Sequence, residues 1–207
     1  MTLIKVCGIK NRETFEQLET LGTDYVGFVF AKSKRQVTAE QAAEIVHAIP
    51  RRAKRVGVFV DERPEEIVRI AETAGLDVLQ MHGGESPELC RELRERTGLQ
   101  VWKAWGVRHD ERDAALASYQ GAVDAVLLDN ERGGTGTRFP WEAIPQLRTY
   151  VPGVPLFVAG GLHADNVGEL LANHAADGVD VSSGVETDGA KDSMKIAQFV
   201  RKVRDSE

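Results

Sequence analysis

Leu3-Ile4-Lys5-Val6-Cys7-Gly8-Ile9-Lys10 opens the chain with a short apolar run, broken only by Lys5, and a turn. A doubly wound open sheet more often carries a GxGxxG fingerprint after its first strand, and this turn has none. Seven further runs follow at Tyr25–Phe30, Arg55–Val60, Asp77–Met81, Gln100–Trp105, Ala125–Leu128, Pro155–Ala159 and Gly178–Val181. They are nearly continuous in apolar residues, the pattern of parallel strands buried on both faces.

Helical stretches lie between them. Thr38 and Gln41 form a capping box ahead of Ala42, Ile45, Val46 and Ile49. Pro64 suits a first helical position, and Gly75 closes the stripe Ile67, Ile70, Ala71 and Ala74. Ser86-Pro87 opens another helix, and Asp192 caps a last one that turns Ile196, Phe199, Val200 and Val203 to one side. Eight strand–helix units with no leftover segment and no linker predict an α/β fold, a compact single-domain (βα)8 TIM barrel over residues 1–207.

Of the 207 residues, 42% are hydrophobic, enough for a sizeable core. Lys and Arg number 26 against 32 Asp and Glu, a net charge of −6 that argues against bulk binding to nucleic acid or to an anionic membrane. A small anionic substrate then needs positive potential built locally. No stretch approaches the ~20 apolar residues of a membrane helix, and the N-terminus has no secretory core. The two cysteines, Cys7 and Cys90, form neither a disulfide framework nor a CxxC metal site. A cytoplasmic protein without a metal is expected.

In a barrel, function gathers where strands run into the following helices. Those positions hold Cys7, Arg35, Asp61, His82, Lys103, Asp129, Gly160-Gly161 and Ser182-Ser183. Cys90, inside a helical stretch, reads as packing. Taken alone, His82 reads as a structural histidine and Lys34-Arg35 as solvated charge. Glycine-containing turns occur at Gly133-Gly134-Thr135-Gly136, Gly160-Gly161 and Ser182-Ser183-Gly184. The last two follow the seventh and eighth strands, where many barrels grip phosphate with backbone N–H groups.

Several stretches, read in order, resemble the phosphoribosylanthranilate isomerase family of tryptophan biosynthesis. They are Lys5-Val6-Cys7-Gly8-Ile9, Gly27-Phe28-Val29-Phe30 with Ser33-Lys34-Arg35, Val56-Gly57-Val58-Phe59-Val60, Leu79-Gln80-Met81-His82-Gly83 and Leu127-Leu128-Asp129. Gly133-Gly134-Thr135-Gly136 with Phe139 and Trp141, Ala159-Gly160-Gly161-Leu162, and Val179-Asp180-Val181-Ser182-Ser183-Gly184-Val185-Glu186 complete the set. The resemblance covers essentially the whole chain.

It implies a cofactor-free Amadori rearrangement of N-(5-phosphoribosyl)anthranilate to 1-(2-carboxyphenylamino)-1-deoxyribulose 5-phosphate. By position, Cys7 matches the general base and Asp129 the general acid. Arg35 meets the anthranilate carboxylate, and His82 and Asp180 contact the substrate. Gly134, Gly136, Gly160, Gly161, Ser183 and Gly184 match the phosphate site. The implied partner is a small phosphorylated molecule, with no nucleic acid or membrane, and the chain acts as a monomer or homodimer.

There are departures from the family pattern. Pro140 stands where the family has an acidic residue, Lys10 where it often has threonine, and Lys34-Arg35-Gln36 varies its proline–arginine pairing. Two sister barrels are rivals. The isomerase of histidine biosynthesis resembles two matched halves with aspartates as acid and base, and a neighbouring synthase uses lysine as base. Cys7 and the lack of two-fold repetition speak against the first. A non-catalytic phosphate-binding barrel would not need both Cys7 and Asp129.

Overall fold

The computed structural model describes residues 1–50, 52–108, 110–130 and 138–206. Eight strands close into a barrel in sequence order: β1 (Leu3–Cys7), β2 (Tyr25–Val29), β3 (Lys54–Phe59), β4 (Val78–Met81), β5 (Gln100–Val107), β6 (Ala125–Asn130), β7 (Leu156–Val158) and β8 (Gly178–Val181). All neighbours are parallel, and β1 seals against β8 from Leu3↔Gly178 to Val6↔Val181. The sixth strand runs past the apolar stretch expected for it, so Asp129 is part of β6, not of the loop beyond.

Around the barrel lie α1 (Arg12–Leu21), α2 (Ala39–Val46), α3 (Pro64–Ala74), α4 (Pro87–Thr97), α5 (Ile144–Tyr150), α6 (Val167–Asn173) and α7 (Ser193–Arg204). The expected end signals are in place. Thr38 and Gln41 make a reciprocal capping box, and Gly75 leaves α3 at φ 60°, which only glycine adopts without strain. Ser86 caps α4, and Asp192 accepts from the Met194 and Lys195 N–H groups. No helix among the described residues is long and apolar enough to cross a membrane.

The fifth crossover departs from the α-helix a strand–helix unit implies. Glu111–Tyr119 is 3₁₀-helical, and its buried residues Asp113, Leu116 and Tyr119 recur every third position. A three-residue turn eclipses side chains at that spacing, so one narrow edge meets the barrel. Asp113 uses the position to accept from Trp105 Nε1 at 2.9 Å.

Strand residues alternate between two environments. Ile4, Val6, Val26, Phe28, Val126, Leu128 and Val179 face outward into the layer between barrel and helices. Tyr25, Val56, Val78, Trp102, Ala125, Leu127 and Phe157 fill the interior. Tyr25, Trp102 and Phe157 plug its lower half, with ring centroids 4.5–5.6 Å apart. Above this plug the interior turns polar.

Candidate active site

The period of two along each strand decides which polar side chains reach the mouth. Cys7, Gln80, His82, Asp129, Asp180 and Ser182 all share inward parity with the plug residues below them, and all line one cavity of about 610 Å³ at the C-terminal end of the barrel. Arg35 joins them from the β2–α2 loop.

Cys7 ends β1 and is 8% exposed. Its register partner is Gly27, where a Cβ would stand 2.7 Å from the Cys7 sulfur. Glycine on β2 is therefore what makes room for the thiol. Two residues earlier on the same face, the fully buried Lys5 Nζ lies 2.9 Å from Asp180 Oδ1 on β8. Burial pushes the Cys7 thiol above its ordinary value, against the pull of Lys5 and Lys191. Asp180 is likewise raised by burial, with Lys5 opposing. Burial lowers the Lys5 ammonium, but the charges of Asp180 and Cys7 outweigh it and leave Lys5 raised.

Across the mouth, Asp129 is 6% exposed and its Oδ2 lies 3.6 Å from His82 Nε2. Gln80 donates its amide to His82 Nδ1 at 2.9 Å, which puts the proton of a neutral imidazole on Nε2, toward Asp129. Thus His82 is held on one side by Gln80 and faces the candidate acid on the other.

Arg35 is tied down on both sides. A Cβ on Gly8, at φ 83°, would meet Arg35 Cδ at 2.5 Å, so the arginine stem lies directly over that glycine. Its guanidinium donates to Glu186 from Nε at 2.6 Å and from Nη2 at 2.8 Å. Glu186 opens β9 (Glu186–Thr187), which pairs with β10 (Ala190–Lys191) beyond β8. Lys191 Nζ donates to the same carboxylate at 2.8 Å and to the Ser182 carbonyl at 2.9 Å. Burial alone would raise Glu186, but the hydrogen bonds from Arg35 and Lys191 hold it down at about 2.

The remaining predicted positions fall into three groups. Gly160 and Gly161 take positive φ after β7, and Gly184 lies in the 3₁₀ turn Ser183–Val185 after β8. These two turns pack backbone to backbone, since a Cβ on Gly184 would fall 1.8 Å from the Leu162 carbonyl oxygen. Neither turn lines the cavity that holds Cys7. Gly134 and Gly136 lie outside the described residues.

Asp61 and Lys103 serve the scaffold. Asp61 Oδ1 accepts the Gly84 N–H at 2.7 Å. Lys103 is buried against Glu85 at 3.1 Å and donates to the Gly83 carbonyl. Glu85 also accepts from the N–H groups of Asp61 and Gly83, so this buried carboxylate shapes the loop that carries His82.

Sequence reasoning assigned no role to Lys5, Gln80, Glu186 or Lys191. Lys5 and Gln80 did leave a signal. Lys5/Cys7, Gln80/His82 and Asp180/Ser182 are polar pairs two apart in otherwise apolar strands, the mark of a shared inward face. Glu186 and Lys191 sit in a short hairpin with no such periodicity.

A closed eight-stranded barrel that sets a thiol against a carboxylate, beside an anchored arginine, defines a class: barrel enzymes equipped for acid–base chemistry on a small anionic molecule. The particular family follows from comparison with known proteins. The family model described as N-(5'phosphoribosyl)anthranilate (PRA) isomerase matches residues 4–202, and the chain belongs to that family.

The N-(5'-phosphoribosyl)anthranilate isomerase of Brevibacillus brevis is 50% identical over 210 residues, covering 99% of this chain and 94% of the relative. A crystal structure of phosphoribosyl anthranilate isomerase in complex with reduced 1-(o-carboxyphenylamino)-1-deoxyribulose 5-phosphate superposes with a TM-score of 0.87 at 37% identity, covering 99% and 100% of the two chains. A crystal structure of monomers generated from the dimeric phosphoribosylanthranilate isomerase of Thermotoga maritima gives 0.87 at 38% identity, with the same coverage.

Proposed function

We propose that this chain catalyses the Amadori rearrangement of N-(5-phosphoribosyl)anthranilate to 1-(2-carboxyphenylamino)-1-deoxyribulose 5-phosphate, the third step of tryptophan biosynthesis from chorismate. The observation that carries this reading is the convergence of Cys7, Asp129 and Arg35 on one cavity at the barrel mouth.

Asp129, as the acid, gives its proton to the furanose oxygen while the bond from that oxygen to C1 breaks. The anilino nitrogen's lone pair forms the C1=N bond of a protonated Schiff base. That cation acidifies C2–H, and the Cys7 thiolate removes the proton. The electron pair moves through C1 to nitrogen, leaving an enaminol. Proton return at C1 and loss of the C2 hydroxyl proton give the ketone. Every proton has a side chain or water to carry it, so the scheme calls on no cofactor. Each general acid or base typically supplies about 10²–10⁴-fold.

Arg35 receives the anthranilate carboxylate, while His82 and Asp180 contact the sugar. Gly160, Gly161, Ser183 and Gly184 bind the phosphate through backbone N–H groups, together with Gly134 and Gly136. The phosphate anchors the sugar between acid and base, turning remote binding energy into orientation at the reacting carbon. The reading places residues 1–207 in the cytoplasm as one barrel domain, a monomer or homodimer, with a small phosphorylated substrate as its partner.

Purified protein is expected to consume phosphoribosylanthranilate, seen as loss of its anthranilate-type fluorescence. Substrate binding without turnover would sink the enzyme reading.

A further inference from the structure

Glu186 is half-buried as a residue, but its side chain is only 6% exposed and does not line the cavity, and it holds two cations that the reaction scheme leaves unexplained. Its carboxylate takes Arg35 by Nε and Nη2, the side-on edge of the guanidinium. A guanidinium has a second edge, formed by Nη1 and the other Nη2 hydrogen, that can receive another carboxylate in parallel. Among the described residues, Arg35 Nη1 has no hydrogen-bond partner, while Arg35 itself faces the cavity.

We propose that Glu186 is a positioning residue that occupies the side-on edge of Arg35 so that the end-on edge is presented to the substrate's aromatic carboxylate. The inference rests on the proposed function and adds to it the element that fixes Arg35's geometry.

Two features fit this role. The Arg35 stem is confined over Gly8, so the guanidinium needs only its rotation set, and a bidentate carboxylate sets it. Charge is also conserved where the substrate needs it. Glu186 alone would neutralise Arg35, but Lys191 bonds the same carboxylate at 2.8 Å and Lys34 approaches it at 3.7 Å. The cluster therefore stays net positive beside the mouth, and pairing Arg35 with Glu186 does not cancel its attraction for an anion.

The test is a cycle of wild type, Glu186→Gln, Arg35→Ala and the double variant, with KM and kcat measured on phosphoribosylanthranilate. Glu186→Gln should raise KM about tenfold and leave kcat within about threefold, since the lost interaction aims a binding group and moves no proton. On the Arg35→Ala background the same change should shift KM by less than about twofold, because the two residues act as one unit. Urea denaturation of each variant separates this from a loss of folding. If Glu186→Gln does not fold, Glu186→Asp replaces it. That variant keeps the charge but its stem is one methylene shorter, which draws the carboxylate back from Nε and Nη2, and KM should still rise.

Titration with anthranilate alone reads the Arg35 contact without turnover, so it remains decisive even if the wild type proves inactive and the assigned reaction falls. A weakening of about tenfold in Glu186→Gln supports the clamp. Unchanged anthranilate affinity, an unchanged KM in an active enzyme, or a full effect of Glu186→Gln without Arg35 overturns it.

Discussion

At the scale of single residues, the thiol and the carboxylate carry the proposed chemistry from opposite sides of one mouth. Replacing Cys7 with Ala, or Asp129 with Asn, should lower kcat by about 10²–10⁴ and change KM little, because each acts on a proton in flight. Steady-state kinetics check this, and a kcat near wild type in either variant removes the role assigned to that residue. Burial raises the Cys7 thiol in spite of Lys5 and Lys191, so the neutral form is favoured beyond the ordinary thiol value of 9.0 and the thiolate that removes the C2 proton is the minor form at neutral pH. Alkylation by iodoacetamide, with Cys7→Ser as the blank, should therefore reach half its maximal rate above pH 9.0. A midpoint below that value would mean that the two lysines outweigh burial.

Elements position these residues through contacts that leave no spare volume. Gly27 admits the Cys7 sulfur, and Gly184 lets the turn after β8 lie against the Leu162 carbonyl in the turn after β7. Gly184→Ala would drive a methyl into that carbonyl oxygen, a backbone atom that cannot yield cheaply. The expected result is a loss of about 1–3 kcal/mol in urea denaturation, with KM raised through displacement of the turns proposed to hold the phosphate. Wild-type stability and KM in this variant would show that the two turns are not packed as described.

Much at this scale was legible beforehand. The capping box at Thr38, Pro64 with Gly75, and the Asp192 cap are local interactions between near neighbours, so local sequence specifies them. The 3₁₀ crossover at Glu111–Tyr119 was not legible as such. Its period of three becomes meaningful only against the barrel wall that Asp113, Leu116 and Tyr119 meet.

Over the whole molecule, charge is distributed against its sum. The protein carries −6, yet Lys32, Arg35 and Arg108 line the cavity, with Lys5 and Lys191 close behind. The field of the acidic exterior opposes an incoming carboxylate and phosphate, and the local cations must overcome it.

The same arrangement has a consequence for acid stability. Glu186 titrates at about 2 in the folded chain, below its ordinary 4.5. A depressed folded value stabilises the protein above the unfolded one, and that stability is lost as pH falls through the folded one. Wild-type unfolding free energy should therefore decline between pH 4.5 and about 2, and Glu186→Gln should decline less steeply over that window. Urea titrations at several pH values test this, and equal slopes would refute the contribution.

The sequence by itself determined the barrel, its strand order, most helix ends and part of the set that meets at the mouth, Cys7, Arg35, His82 and Asp129. Those features follow from periodicity, from capping between neighbours and from motifs that keep their identity when read along one line. Tertiary structure decided what depends on distance across the barrel. It paired Lys5 with Asp180, aimed His82 at Asp129, and brought Glu186, more than a hundred residues along the chain, onto Arg35. Most of each run is apolar on both faces, so apart from polar pairs such as Lys5/Cys7 and Gln80/His82 the inward and outward positions become distinct only when the sheet closes. A carboxylate's partners are set by which loops that closure brings together.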